Sequence, residues 1–553
     1  MSHFDNPAIV QSDFTILLDV HHPKAPFARD LLNAFCELQK SPEHIHTYKI
    51  TPISLWNAAS AGLDSDTIIK NLSDISRYEL PQPIIAHIQD ITNRYGKIIL
   101  DTTNTPNLLE LKIDDSFIKN QIIANKKIMK FISYDNEKFL VALLNRGTIK
   151  QELINIGFPV KDLAPLRDGR SLTFSLRKNT LSGMAFSIRD YQQEAVENFY
   201  ANNMAGSGYG TIVLPCGAGK TIVAIATIQK YQTATLILTT NVAAVHQWQN
   251  ELLDKTTLTE KEIGEYSGDK KNIKPITIAT YQIITWRANT DDEFPHFNLF
   301  KDTDWGLIIY DEVHLLPAPV FRITAEIQAI RRLGLTATLI REDGKESDVF
   351  SLVGPKRYDV PWKQLENSGW IAQAICKEIR LELPEELKIE YAIADKKAKF
   401  RIAAENPRKI DIAKEIIKNH EGESILIIGQ YVAQLEKIAK ELDVPLITGK
   451  TPNQQRELIY EDFKKGRISL IVVSKVANFA IDLPDASVAI QVAGTFGSRQ
   501  EEAQRLGRIL RPKKRSATFY TIVTKESLEA EFAINRQRFL AEQGYKYEIE
   551  NYD

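Results

Sequence analysis

At 553 residues the chain exceeds what a single hydrophobic core can organise, so three or more domains are expected. Hydrophobic residues make up 43% and charged residues 25%, the composition of a soluble globular protein without biased tracts. A net charge of −2 excludes a polycation, so any grip on nucleic acid has to come from local clusters of Lys and Arg.

No apolar run approaches the ~20 residues of a membrane span, and Met1-Ser2-His3-Phe4-Asp5 lacks the basic and apolar regions of a signal peptide. No membrane association and a cytoplasmic address are therefore expected. Cys36, Cys216 and Cys376 lie too far apart in sequence for a CxxC pair, a disulfide framework or an iron–sulfur site. His21-His22 and His44-x-His46 lack a companion Cys or carboxylate at ligand spacing and read as ordinary surface or core histidines.

In chain order, residues 1–170 mix amphipathic helix with short strands and form an α+β N-terminal accessory domain. Phe27–Phe35 carries apolar residues at helical spacing, and Thr51-Pro52 marks a break before Leu55–Ala59. Lys97–Leu100, Lys130–Tyr134 and Phe139–Leu143 predict strands, and no catalytic constellation accompanies them. From 171 to 357 short apolar runs alternate with helices: Thr211–Leu214, Ala234–Leu238, Ile276–Ala279 and Leu307–Tyr310. Such runs predict a parallel sheet covered on both faces. After a linker beginning around Gly354–Arg357, the alternation restarts over 358–553 with Ser424–Ile428, Ser469–Val473 and Ser487–Gln491. The charged, helix-prone stretch 386–407 predicts an inserted hairpin or thumb.

Pro215-Cys216-Gly217-Ala218-Gly219-Lys220-Thr221 follows an apolar strand and opens a helix. A phosphate loop needs that context: glycines let backbone N–H groups wrap the anion, Lys220 reaches the β/γ-phosphates and Thr221 ligates Mg²⁺. Leu214 stands where the longer form of the loop has glycine, so the match is to a shorter variant. Some ninety residues on, Asp311-Glu312-Val313-His314 follows the strand Leu307–Tyr310. A carboxylate there can hold Mg²⁺ and its neighbour can orient or deprotonate the attacking water, roles given to Asp311 and Glu312. ATP hydrolysis is the expected chemistry.

Gln504-Arg505-Leu506-Gly507-Arg508-Ile509-Leu510-Arg511 brings three arginines together near the end of the second α/β unit. Arg508 and Arg511 are candidates for the guanidinium that meets charge on the transferring phosphoryl group, an effect worth about 10³–10⁵ in rate. Gln504 suits sensing lobe closure. The alternative is a basic face for DNA phosphates, continued by Lys513, Lys514 and Arg515. Leu335-Thr336-Ala337-Thr338 places hydroxyls within reach of the Asp311/Glu312 loop, either for coupling or as a plain strand end.

Together these residues resemble superfamily 2 helicases, and among them the XPB-type DNA repair helicases, over essentially the whole chain. Ile188-Arg189-Asp190-Tyr191-Gln192 is similar to the family's entry motif, which implies that Arg189 and Gln192 approach the adenine. Asp311–His314 matches its DEVH box, and Arg341-Glu342-Asp343 its RED motif, associated with unwinding. Asp482 stands where the family contacts the ribose, although Ala480 replaces a glycine common in superfamily 2. The resemblance implies two tandem RecA-like parallel-sheet lobes binding ATP and Mg²⁺ between them. It also implies His314, Thr336 and Thr338 in coupling, and DNA contacts from Thr239, Thr240, Gln247, Trp248, Thr280, Arg341, Lys450 and Lys475. Trp248 has two readings, a base-stacking ring or a core residue. The implied activity is ATP-dependent strand separation with 3′→5′ polarity in DNA repair; a duplex translocase and an ATP-driven damage-binding switch are the alternatives. No nuclease constellation is present, so incision would need a separate nuclease partner, and a monomer is the expected oligomeric state.

Overall fold

A computed structural model describes the chain except for residues 1–4, 41–43, 136–137, 216, 269, 290–293, 301–302, 338–345, 361, 475–485, 495–516, 543–544, 546 and 553. The two α/β units each carry a seven-stranded, wholly parallel sheet. In the first, the strands lie in the order Ile263–Tyr266, Ile276–Thr280, Thr235–Thr239, Leu307–Asp311, Arg331–Thr336, Tyr209–Val213 and Lys356–Asp359. In the second, the order is Leu446–Ile447, Leu470–Ser474, Ile425–Gly429, Val488–Gln491, Ala517–Thr524, Ala374–Leu381 and Tyr547–Tyr552. The central strands are apolar at successive positions because helices cover both faces; Thr235–Thr239 is buried throughout.

Two differences from the sequence reading concern boundaries. Lys356–Asp359 pairs with Tyr209–Val213, so the first lobe runs past residue 357 and the link to the second begins after it. Residues 1–170 also contain two separate cores. The first is a four-stranded antiparallel sheet, Ala8–Val10, Thr15–Asp19, Ile45–Lys49 and Glu37–Lys40, packed with helices Ala25–Phe35, Pro52–Ser60, Ser65–Ile75 and Gln82–Arg94. The second is a five-stranded sheet from Ile98 to Asp162 with its own apolar cluster around Leu100, Leu111 and Val141. Periodicity finds elements and is blind to which of them share a core. In the second lobe, residues 385–404 form two consecutive helices, Glu385–Ile393 and Lys396–Ala404.

The second N-terminal unit holds a buried charge cluster that meets the first lobe at Tyr209. Arg146 donates to both oxygens of Asp162 at 3.0 and 2.9 Å and to the carbonyls of Ala164 and Pro165. Lys150 donates to Asp162 Oδ2 at 3.0 Å, and the Tyr209 hydroxyl, on the strand that leads to the phosphate loop, donates to the Asp162 carbonyl at 2.8 Å. Burial pulls the Lys150 ammonium down to about 7 against the attraction of Asp162. Burial also pushes Asp162 up, but Lys150 and Arg146 outweigh it and hold the carboxyl at about 2. Nearby, Gly147 lies so close to the helix Ala318–Glu326 that an added Cβ would fall 2.4 Å from the Ala325 carbonyl oxygen.

Removing the one anion of this cluster strands two cations in the interior. Asp162→Asn is expected to cost about 3–5 kcal/mol of stability, read as a lowered midpoint in urea unfolding; a midpoint equal to that of the wild type would show that the cluster is dispensable.

Candidate active site

Strand Tyr209–Val213 passes through buried Leu214 and Pro215 into Gly217, Ala218 and Gly219, and the helix Lys220–Tyr231 starts at once. Gly219 is left-handed at φ +78°, and a Cβ there would lie 2.5 Å from Gln192 Nε2, so only glycine fits. The helix begins at the carboxyl edge of the sheet with its free N–H groups and positive dipole end facing the loop. Thr221, half-buried, sits in its first turn.

The residues of the predicted entry motif hold this loop from behind. Gln192 Nε2 donates to the Ala218 carbonyl at 2.9 Å, and the Tyr191 hydroxyl donates to the same oxygen at 2.6 Å. The other amide atom, Gln192 Oε1, accepts from the Arg189 backbone N–H at 3.0 Å. Gln192 is therefore committed to bracing the loop. The Arg189 guanidinium lies 4.9 Å over the ring of Trp370, in the segment that leads into the second lobe, and donates to Tyr191 Oη at 3.1 Å. Tyr191 belongs to the entry motif, where sequence assigned it no role of its own, and Trp370 was passed over, since an aromatic residue outside a motif reads as core.

Asp311 ends its strand one strand away from the phosphate-loop strand, with Arg331–Thr336 between. Lys220 Nζ comes within 3.8 Å of Glu312 Oε1 across that gap. Asp311 Oδ2 accepts the indole N–H of Trp248 at 2.9 Å, and its backbone carbonyl accepts the Tyr281 hydroxyl at 2.9 Å. Glu312 adopts a left-handed φ of +50°, which costs a non-glycine residue energy and is typical of functional positions. Burial pushes the Asp311 carboxyl up to about 6 and the charge of Glu312 adds to this, while Trp248 and Lys220 pull the other way. The Asp311 carboxylate and the Thr221 hydroxyl are hard oxygens of the kind that could hold a divalent cation.

His314 is buried, with Nδ1 2.7 Å from Thr336 Oγ1 and 3.5 Å from Glu312 Oε2. The Thr336 carbonyl in turn accepts from Leu214 N–H at 3.0 Å. A continuous run of contacts so joins the acidic pair, the intervening strand and the root of the phosphate loop.

Three of the candidate DNA contacts are buried. Trp248 is 2% exposed and spends its polar edge on Asp311, so it is a core residue of the acidic pocket and has no face for a base. Thr280 is also 2% exposed, and its hydroxyl accepts from the Ile283 N–H as the cap of helix Tyr281–Ile284. Thr239 is buried too, whereas Thr240 is half-buried and Gln247 and Lys450 are exposed. Cys216, Thr338, Arg341, Glu342, Asp343, Lys475, Asp482, Gln504, Arg508 and Arg511 lie outside the described residues.

Residues 365–552 match the family described as ERCC3/RAD25/XPB C-terminal helicase, and residues 185–341 match the type III restriction enzyme res subunit family. Residues 8–134 match a helicase conserved C-terminal domain family. The chain is 50% identical to the DNA 3'-5' helicase XPB of Mycobacterium tuberculosis over 99% of its own length and 98% of that protein. It is 47% identical to the protein of that name from Kineococcus radiotolerans, over 99% of this chain and 97% of the other. Identity is 32% to the general transcription and DNA repair factor IIH helicase/translocase subunit XPB/SSL2 of Saccharomyces cerevisiae, over 98% of this chain and 71% of that protein.

Gln192→Ala removes one of two donors to the Ala218 carbonyl, a loss of about 1 kcal/mol or roughly a fivefold rise in nucleotide Kd. Titration with a fluorescent ATP analogue reads the change, and an unaltered Kd would show that Tyr191 braces the loop alone.

Proposed function

The chain belongs to the XPB family of superfamily 2 helicases, and from that premise we propose an ATP-dependent DNA helicase of 3′→5′ polarity acting in DNA repair. One observation carries the chemistry: Lys220 and the Asp311–Glu312 pair converge at the carboxyl edge of one sheet, with Thr336 and His314 between them.

The residues divide the work by their chemistry. The loop 217–221 holds the phosphates, with Lys220 neutralising charge on the transferring group. Glu312 takes a proton from water as the water oxygen bonds to the γ-phosphorus and the bond to the ADP oxygen breaks. Thr221 and Asp311 would hold Mg²⁺, which when bound offsets phosphate charge. No cluster of three or more His, Cys, Asp or Glu occurs among the described residues, so phosphate oxygens and water would complete its shell. Arg508 and Arg511 complete the site from the second lobe, with Gln504 reporting closure and Asp482 on the ribose, as the resemblance implies.

For DNA, the exposed or half-buried Thr240, Gln247 and Lys450 remain suited to a sequence-tolerant hold on the phosphate backbone. Lys475 joins them by resemblance, and Arg341, Glu342 and Asp343 form the unwinding element. No helix among the described residues is long and apolar enough to cross a membrane. Incision falls to a separate nuclease, and the motor works as a monomer. A second reading, duplex translocation without net unwinding, draws support from the name of the yeast relative, a helicase/translocase subunit.

Single-turnover unwinding of a 3′-tailed duplex, set against triplex displacement from blunt DNA, separates the two readings. Unwinding without displacement supports the helicase, and the reverse outcome supports the translocase. Lys220→Ala is expected to abolish every ATP-dependent output, and unwinding that survived it would remove the site from consideration. Arg341→Ala is expected to spare DNA-stimulated ATPase more than unwinding; equal loss of both would exclude a wedge role for the RED residues.

A further inference from the structure

Beyond the residues considered above, the first lobe exposes one tryptophan, Trp286, whose surface is 53% accessible. It lies six residues past the end of strand Ile276–Thr280, after the short helix Tyr281–Ile284. In a parallel sheet that end is the carboxyl edge, the same edge that carries the phosphate loop and Asp311. The strand is two places from Leu307–Asp311 on the side away from the phosphate loop, about 10 Å across the sheet. Strand Thr235–Thr239, which leads to Thr240, runs between the two.

The indole is held in place rather than left loose. Its ring lies tilted against His296 with 6.0 Å between centroids, and His296 is buried with Nδ1 2.8 Å from the Tyr266 hydroxyl. The next residue, Arg287, puts its guanidinium 5.0 Å over Phe294, and Arg322 approaches the same ring at 5.4 Å. Phe294 itself stacks on Phe297 at 4.8 Å, so the arginines rest on an ordered aromatic base. Lys271 is near enough to His296 to help keep that imidazole's pKa low, after burial, which is the larger cause. Asp291, Asp292 and Glu293 lie outside the described residues.

An exposed, braced indole beside guanidinium groups is the chemistry that binds an unpaired base, because every base offers a π-face and the cations favour the adjoining phosphates. A duplex offers no free face to such a ring. We propose that Trp286 is a base-stacking platform for single-stranded DNA, at the outer end of the path that starts near Thr240. The platform takes the ring-stacking role that buried Trp248 does not fill. It rests on the helicase reading above, since a stacking site needs an unpaired strand to serve.

Fluorescence anisotropy with a labelled oligothymidylate, and with the same strand carrying abasic sites, tests the platform. Trp286→Ala is expected to weaken binding of the oligothymidylate roughly tenfold, to alter binding of the abasic strand little, and to be largely rescued by Trp286→Tyr. The platform is overturned if Trp286→Ala stays within about twofold of wild type, if it loses equally on the abasic strand, or if Trp286→Tyr rescues nothing. A wild type that bound neither strand would overturn the helicase reading together with the platform. A wild type that binds, with Trp286→Ala unaffected, would remove only the platform.

Discussion

Asp311 and Glu312 put two carboxylates side by side at the end of the central strand of a seven-stranded sheet, where burial and the charge of Glu312 both push the Asp311 carboxyl up. Much of the first lobe's carboxyl edge is arranged around that problem. Trp248 gives Asp311 its indole proton, Tyr281 secures the Asp311 backbone, and Lys220 stands 3.8 Å from Glu312. Burial and the charge of Glu312 outweigh these partners, so the Asp311 carboxyl stays raised, at about 6.

Contacts between the units tie the N-terminal third to both lobes. The unit around Asp162 meets the first lobe where the Tyr209 hydroxyl donates to the Asp162 carbonyl and where Gly147 packs against the helix Ala318–Glu326. The first N-terminal unit also reaches that lobe: Trp56 and Tyr95 meet Phe350, and Asn57 accepts from the Lys356 N–H. Its strand Glu37–Lys40 in turn lies beside the helix Leu528–Glu542 of the second lobe. The first N-terminal unit thus touches both lobes.

How far the sequence spoke depended on whether a feature is local. Strands buried on both faces read as apolar runs, so Thr235–Thr239 and Leu307–Asp311 were legible to within a residue or two. The phosphate loop was legible because glycine, lysine and threonine at fixed spacing between a strand and a helix have few other uses. Trp248 was ambiguous: its partner Asp311 is 63 positions away, and helical spacing alone cannot choose between a stacking ring and a core residue. Arg146, Lys150 and Asp162 gave no signal, since charged residues are ordinarily surface and only the fold assembles three of them in the interior. Thr280 illustrates the same limit at short range, because its hydroxyl caps the very next helix.

The second lobe repeats the device of a buried ion pair where position matters. Lys409 and Glu529 are both fully buried, 2.6 Å apart, and the same ammonium holds the Val492 carbonyl at 2.8 Å. Glu529 also accepts the Thr524 N–H at the end of strand Ala517–Thr524. A hydrophobic substitute of equal volume would pack as well and need no desolvation, so stability alone does not explain a charged pair here. Its directionality does: an ammonium with carboxylate and carbonyl partners fixes where strand Val488–Gln491 ends and where helix Leu528–Glu542 begins. The chain between those two points contains Gln504, Arg508 and Arg511. The Lys409–Glu529 pair thus anchors the described residues on either side of that segment.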